Sequence, residues 1–313
     1  MQNFVIKEFS DLVEAKKWWD LFSPNVSIYD YWDFRYVHFK FFNNVCKFYV
    51  GFVDNEPIGL LALQYDAANN LLQFFGGINM ECNRVFIKPG YSELVPNFYE
   101  NITLPAVLTN IDPSDATSEK FIKQNKRYFL DLNTIDNSED FLKKYFSKQS
   151  KHSLERQFRR ITEHQLEITE GNLDDLEFLF EFNLKKYGAE ATFIKPFRKE
   201  IYKELVVLPG TTVVFYTFVV DGQKQGVALA INYKSFYSSR LFGIATDAVP
   251  NLWKYTIFKN IEKAKQLGSI HFDIGTGDYG WKEGWGFSSQ DQYMLTKNRS
   301  DVTSENLYNL GLN

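Results

Sequence analysis

The chain has 313 residues, of which 44% are hydrophobic and 17% aromatic. That is enough for two cores, because domains of about 100–200 residues are the common size. Its formal net charge of −4 argues against general nucleic-acid binding, DNA included, which calls for a strongly basic balance, while a local basic patch stays open. Cys46 and Cys82 show no C-x-x-C spacing, so neither a disulfide framework nor a zinc site is expected. No apolar run is long enough to span a bilayer and no signal-like start is present, and a cytoplasmic, reducing location without membrane insertion is the expectation.

In chain order, "SDLVEAKKWWDLF" starts with Ser10 and Asp11 and places Leu12, Val13, Ala15, Trp18, Trp19 and Phe22 in a mostly helical rhythm. "YDYWDFRYVHFKFF", Tyr29 to Phe42, reads either as helix core or as the lining of an acceptor groove. A hairpin follows over Val45 to Asp66, with its turn at Asp54-Asn55, and then the aromatic strand "LLQFFGG". The same rhythm returns later. Asn172 and Asp175 can cap a helix that Gly188 stops; residues 211–235 form a hairpin about Asp221-Gly222; "SSRLFG" repeats the aromatic strand ending in glycine. The order predicts a degenerate duplication of one α/β unit, dividing near Asn137 into residues 1–137 and 138–313.

The stretch after that division is basic. Lys143, Lys144, Lys148, Lys151, Arg156, Arg159 and Arg160 stand against Glu155 alone, which makes Arg156 and Arg160 candidate contacts for a phosphate-bearing substrate, or else a solvated helix face. "FDIGTGDYGWKEGWGF", Phe272 to Phe287, carries Gly275-x-Gly277-x-x-Gly280, but too few residues remain for a βαβ unit, and Trp281-Lys282-Glu283 stands where a Walker loop needs Lys-Ser/Thr. A strand running into a glycine-bent loop is the better reading. Asp273, Asp278, Tyr279, Trp281 and Lys282 are the residues of this loop that can carry chemistry. The alternative is a turn cap and a solvated lysine. His38, His152, His164 and His271 form no recognisable order, and no metal site is expected.

From Lys143 to Gly286, the pieces "SKHSLERQFRRI", "VVDGQKQGVALAINY", "DAVPNLWKYTIFKNIEKAKQLG" and "FDIGTGDYGWKEGWG" resemble the GNAT acyltransferase superfamily. The resemblance is to its CelD-like branch, associated with polysaccharide biosynthesis and related to the FemABX peptidyltransferases. It implies two tandem GNAT-like units, each a mixed and mostly antiparallel sheet flanked by helices, the first of them degenerate. It implies transfer of an acyl group, acetyl first, from acyl-CoA to an amine on a small or sugar-linked acceptor, with Asp273 or Asp278 as candidate proton acceptor, Lys282 as a candidate for stabilising the oxyanion or pairing with a phosphate, and Tyr279 and Trp281 as candidate substrate contacts. The alternatives are a FemABX-type enzyme using aminoacyl-tRNA and a non-catalytic binding member. The resemblance places the CoA diphosphate at Val249, Pro250, Asn251, Leu252, Trp253 and Lys254, before a helix from about Asn251 to Leu267. This chain departs from the superfamily there, having neither of the usual glycines.

Overall fold

A computed structural model describes residues 3–277, 280–299 and 301–303. The chain divides into two compact units. The first comprises Met1–Asn25, Tyr29–Arg127 and the segment from Gln290 onward; the second comprises Tyr128–Ser289 with the short piece Val26–Ile28.

In the first unit β1 (Phe4–Phe9) leads into helices α1 (Leu12–Phe22) and α2 (Trp32–Phe39). Asp11 caps α1 by accepting the N–H of Glu14 at 2.9 Å, satisfying one of the unpaired donors of a helix start. Strands β2 (Val45–Val53) and β3 (Glu56–Asp66) form the expected hairpin, and Asp54 and Asn55 both take the left-handed conformation that a tight hairpin turn demands. Strand β4 (Leu71–Phe74), the short β5 (Phe86–Ile87), α3 (Val95–Glu100) and β6 (Ala106–Ile111) follow. The order is β1-β2-β3-β4 antiparallel, then β4 beside β6 in parallel at Leu72 and Ala106. Tyr29 to Phe42 is helix core: Trp32, Phe34, Val37 and Phe39 are buried, with Trp32 and Phe39 packing against Phe75. Full burial of each such side chain contributes about 1.5–3 kcal/mol.

Strand β7 (Ile122–Asp131) carries the chain into the second unit, where α4 (Ser138–Tyr145) and α5 (Lys148–Glu163) precede β8 (Leu166–Glu170). Asn137 and Ser147 cap those two helices. Helices α6 (Leu176–Tyr187) and α7 (Pro196–Leu205), strands β9 (Thr212–Val220), β10 (Gln223–Tyr233) and β11 (Phe236–Ile244), helix α8 (Leu252–Gln266) and strand β12 (His271–Thr276) complete the pattern, before the single turn α9 (Trp281–Gly284) and β13 (Ser288–Lys297). Again four strands, β8-β9-β10-β11, run antiparallel and the last lies parallel to its neighbour, here β12. From Tyr293 to Lys297, β13 pairs with β6 of the first unit.

The fold is therefore a mixed, mostly antiparallel α/β architecture written twice. In each unit a helix pair joins the first two strands and one helix joins the parallel pair. The second core gathers Phe141, Leu154, Phe158, Tyr237, Leu252, Ile261, Phe272 and Trp285, which seats α4, α5 and α8 on one sheet face. Asp175 ties α6 to that sheet through Thr217 Oγ1 at 2.7 Å and through Lys224. Burial by itself would raise the Asp175 carboxyl, but its hydrogen bonds to Lys224 and Thr217 outweigh burial and hold it below the ordinary aspartate value.

Candidate functional site

The parallel strands β11 and β12 pair over only three positions, Phe236 with His271, Tyr237 with Phe272 and Ser238 with Asp273. Beyond Ser238 they part. Strand β11 continues to Ile244 while bonded to β10 on its other side, so the edge from Ser239 onward faces a gap. A cavity of 810 Å³ opens in that gap. It is walled by Ser239 to Thr246 on one side, by Ile274, Thr276, Trp281 and Lys282 on the other, and by the face of α6 bearing Leu179, Phe182, Asn183 and Lys186.

Two bulges shape the wall. Opposite Leu229 and Ala230 of β10 stand Leu241 and Ser239, so Arg240 is the extra residue in β11, and it lines the cavity. Gln225 is likewise extra in β10 between Lys224 and Gly226. Its carbonyl accepts the N–H of Ala245 at 2.9 Å and its side-chain oxygen accepts the N–H of Val249 at 2.7 Å, which fixes the loop between β11 and α8.

Among the described lining residues the charged ones are Lys186, Arg240 and Lys282, all cationic. In a chain of net charge −4 this gives the cavity a preference for an anionic or strongly dipolar ligand. Lys282 is 3% exposed, and its ammonium donates to the carbonyls of Thr276 at 2.8 Å, Gly275 at 3.1 Å and Ile274 at 3.3 Å while lying 4.9 Å from the centre of the Tyr128 ring. It is thus a buried clamp on the end of β12, with its flank on the cavity.

Of the residues singled out in the sequence, Lys282, Trp281 and Trp253 line the cavity. Trp253 and Trp281 meet edge to face at 5.3 Å, with Trp285 behind them. Asp273 is fully buried beneath, where its carboxylate accepts the N–H of Gly275 at 2.9 Å, and it is not part of the lining. Val249, Pro250, Asn251, Leu252 and Lys254 form the loop and first turn of α8 beside Trp253. Arg156 and Arg160 are exposed on α5, away from this lining; Arg156 instead borders a second depression with Lys148, His152 and Arg159. Asp278 and Tyr279 lie outside the described residues. No group of three His, Cys, Asp or Glu side chains among the described residues is arranged to hold a metal ion. No helix among them is long and apolar enough to cross a membrane.

The sequence reading missed Arg240, Gln225, Lys186 and Asn183. A bulge shifts alternation by one residue without any special residue type, and Arg240 sits in an ordinary aromatic strand. Lys186 falls in the last turn of α6, where a lysine is expected for the helix dipole alone.

In the second unit, then, two parallel strands part over a cavity and a helix starts beside the open edge. Residues 148–283 match the family model of the acetyltransferase (GNAT) domain. That match lies within the second unit and assigns the GNAT domain to those residues. No curated protein matches it by sequence. Among solved structures it is similar to L-PGS from Bacillus licheniformis (TM-score 0.61, 12% identity, 97% of this chain and 98% of that one). It is similar to FemX (TM-score 0.61, 10% identity, 97% and 99% covered). It is similar also to a tandem GNAT protein from the clavulanic acid biosynthesis pathway (TM-score 0.54, 10% identity, 94% and 98% covered). At such identities the likeness is one of fold, and that fold is the tandem one.

Proposed function

We propose that the second unit transfers an acyl group from a thioester to the amine of a small or sugar-linked acceptor, with the cavity at the parting of β11 and β12 as the reaction site. The observation that carries this is the open edge of β11 from Ser239 to Ile244, which offers backbone N–H and C=O groups to the two amides of a pantetheine arm as an added strand would. In this reading the arm runs along β11, and its thioester end lies toward Trp253, Trp281 and Lys282.

An amine attacking the thioester carbonyl generates an oxyanion and must lose a proton before the thiolate leaves. Cations are already gathered in the cavity, so they stabilise that charge without reorganising. Lys282 contributes by field and by fixing the β12 end against which the arm lies. Asp273 acts as a positioning residue that sets the turn at Gly275, whose φ of 74° is left-handed. Asp278 is the candidate proton acceptor of the loop and Tyr279, with Trp281, its candidate acceptor contact. Under this proposal acyl-CoA is a co-substrate, no metal takes part, and the first unit is a degenerate copy without its own donor site. A cell-envelope or polysaccharide acceptor and a cytoplasmic setting fit the same reading.

The exposed basic face of α5, with Arg156 and Arg160, favours a second reading in which aminoacyl-tRNA is the donor. A thermal-shift series with acetyl-CoA, longer acyl-CoAs and free CoA separates the two. A ligand that binds only the native state raises the melting midpoint. A shift with thioesters supports the proposal, and none with any of them overturns it.

A further inference from the structure

We infer that this site recognises a thioester donor by its pantetheine arm and not by the nucleotide diphosphate, so that CoA and simple pantetheine thioesters are nearly equivalent ligands. The inference rests on the reading above and concerns the start of α8. A diphosphate held at a helix start needs several free backbone N–H groups or nearby free cations. Here five of the seven N–H groups between Ala248 and Tyr255 are already engaged, those of Asn251 and Trp253 excepted. The N–H of Ala248 goes to the carbonyl of Ala245 at 3.1 Å, and that of Val249 to the Gln225 side chain at 2.7 Å. Pro250 has no N–H. Leu252 donates to Val249 at 3.2 Å, and Lys254 and Tyr255 both donate to the carbonyl of Asn251, at 3.0 and 3.2 Å.

The side chains of the loop are no better placed. Asn251 occupies the left-handed conformation, φ 69°, and its side chain caps nothing. Lys254 directs its ammonium to Gln157 Oε1 at 3.2 Å, with the Trp253 ring centre 5.5 Å away. The Trp253 indole packs on Trp281 and Trp285 and so fills space that a glycine would leave for phosphate oxygens. Asp247 is exposed on the same loop and repels an anion. By contrast, the part of the site that would meet the arm is open: six residues of β11, Ser239 to Ile244, line the cavity. Binding energy is therefore concentrated on the arm and the acyl group.

The test is calorimetry on the full chain with three probes: CoA, pantetheine, and adenosine 3′,5′-bisphosphate as the nucleotide half. The expected result is that CoA and pantetheine bind within about fivefold of each other, that the nucleotide half shows no binding at about 1 mM, and that CoA affinity changes less than about twofold between low and high salt. A clasped diphosphate would instead make CoA at least about a hundredfold tighter than pantetheine, with a steep salt dependence, and that outcome overturns the inference while leaving the thioester reading intact. If neither CoA nor pantetheine binds, the thioester reading itself falls, and this inference with it. Asn251→Glu supplies an independent arm, since it adds an anion at the helix start. CoA affinity is expected to stay within about twofold, whereas a loss of about tenfold or more would place the diphosphate there after all.

Discussion

The two units share strand order and helix placement, yet the same place in each has opposite contents. In the second, β11 extends nine residues and leaves β12 after three pairs, and the gap is a cavity. In the first, β4 has four residues and meets β6 at a single pair, after which the chain turns at Gly76 and Gly77, both left-handed, and packs back into the gap. Asn83 fills it. Its N–H donates to the carbonyl of Asn110, its carbonyl accepts from Asp112, and its amide donates to the carbonyls of Met80 and Thr109. Arg35, 3% exposed on α2, nails this plug in place by donating to the carbonyls of Tyr29, Phe75 and Cys82 and to Asn83 Oδ1. The lesson is that one returning segment decides between a cavity and a plug in a repeated fold.

The largest effect should come from removing that nail. Arg35→Leu leaves several buried carbonyls without donors and is expected to cost about 3–5 kcal/mol, read as a fall in the urea midpoint. Burial pulls the Arg35 guanidinium down to about 10, still far enough above neutrality for it to stay charged, so the loss should not vary between pH 6 and 8. Arg240→Ala in the second unit is the matched control and should cost less than about 1 kcal/mol while weakening ligand binding, because Arg240 lines a cavity. Equal losses in the two variants would break the comparison.

Next come the paired glycines of the two hairpins. A Cβ on Gly59 would stand 2.9 Å from the backbone oxygen of Phe86 and 3.0 Å from the Phe98 ring, neither of which can yield cheaply. A Cβ on Gly226 would stand 3.0 Å from the terminal methyl of Ile244, which can rotate away. Gly59→Ala is therefore expected to cost about 2–3 kcal/mol and Gly226→Ala less than about 1.5 kcal/mol in denaturant melts. The reverse order would show that the first unit is the softer of the two.

A third difference is electrostatic. Burial raises the Asp115 carboxyl to about 6, although hydrogen bonds from Tyr99 and the N–H of Val85 pull the other way. The folded state thus holds this proton more tightly than the unfolded chain does. Stability from this group is complete below the ordinary aspartate value near 4 and is lost as pH rises toward 6, by about 2–3 kcal/mol. Asp115→Asn should flatten that part of the stability profile, since an amide oxygen can accept the same two donors. A profile unchanged by the substitution would mean that Asp115 is ionised in the folded unit.

Much of this contrast was hidden from the sequence, for reasons that differ between elements. The duplication was legible because hairpin turns declare themselves: Asp54-Asn55 and Asp221-Gly222 all take left-handed φ. Helix α8 was legible from its apolar spacing, and the expected span of about Asn251 to Leu267 meets an observed Leu252–Gln266. The plug was not legible, since "YDYWDFRYVHFKFF" announces an aromatic helix and gives no sign that its arginine points inward to the carbonyls of Tyr29, Phe75 and Cys82 and to the Asn83 side chain. Nor was the cavity, because where two strands stop pairing depends on both at once. Lys282 was read as a candidate oxyanion group from its place after Gly280; its three carbonyl partners come from the backbone bend that the glycines permit.

The smallest expected effect tests α5, which has no counterpart among the described residues of the first unit. Arg156 and Arg160 are exposed, and neither has an ion-pair partner among the described residues. The neighbouring Glu155 is shared by Lys151 at 3.5 Å and His152 at 3.2 Å. Arg156→Ala and Arg160→Ala should each leave stability within about 0.5 kcal/mol, as surface substitutions do. If the donor is a thioester held by its arm in the cavity, pantetheine affinity should also stay within about twofold in the double variant, because the two arginines lie outside the cavity lining. If α5 instead receives a polyanionic donor, the double variant should lose binding to a transfer-RNA probe by about tenfold at low salt, with the loss fading as salt rises. Calorimetry with pantetheine and a filter assay with the RNA, run on the same two proteins, therefore tell an ornamental charge from a second docking face.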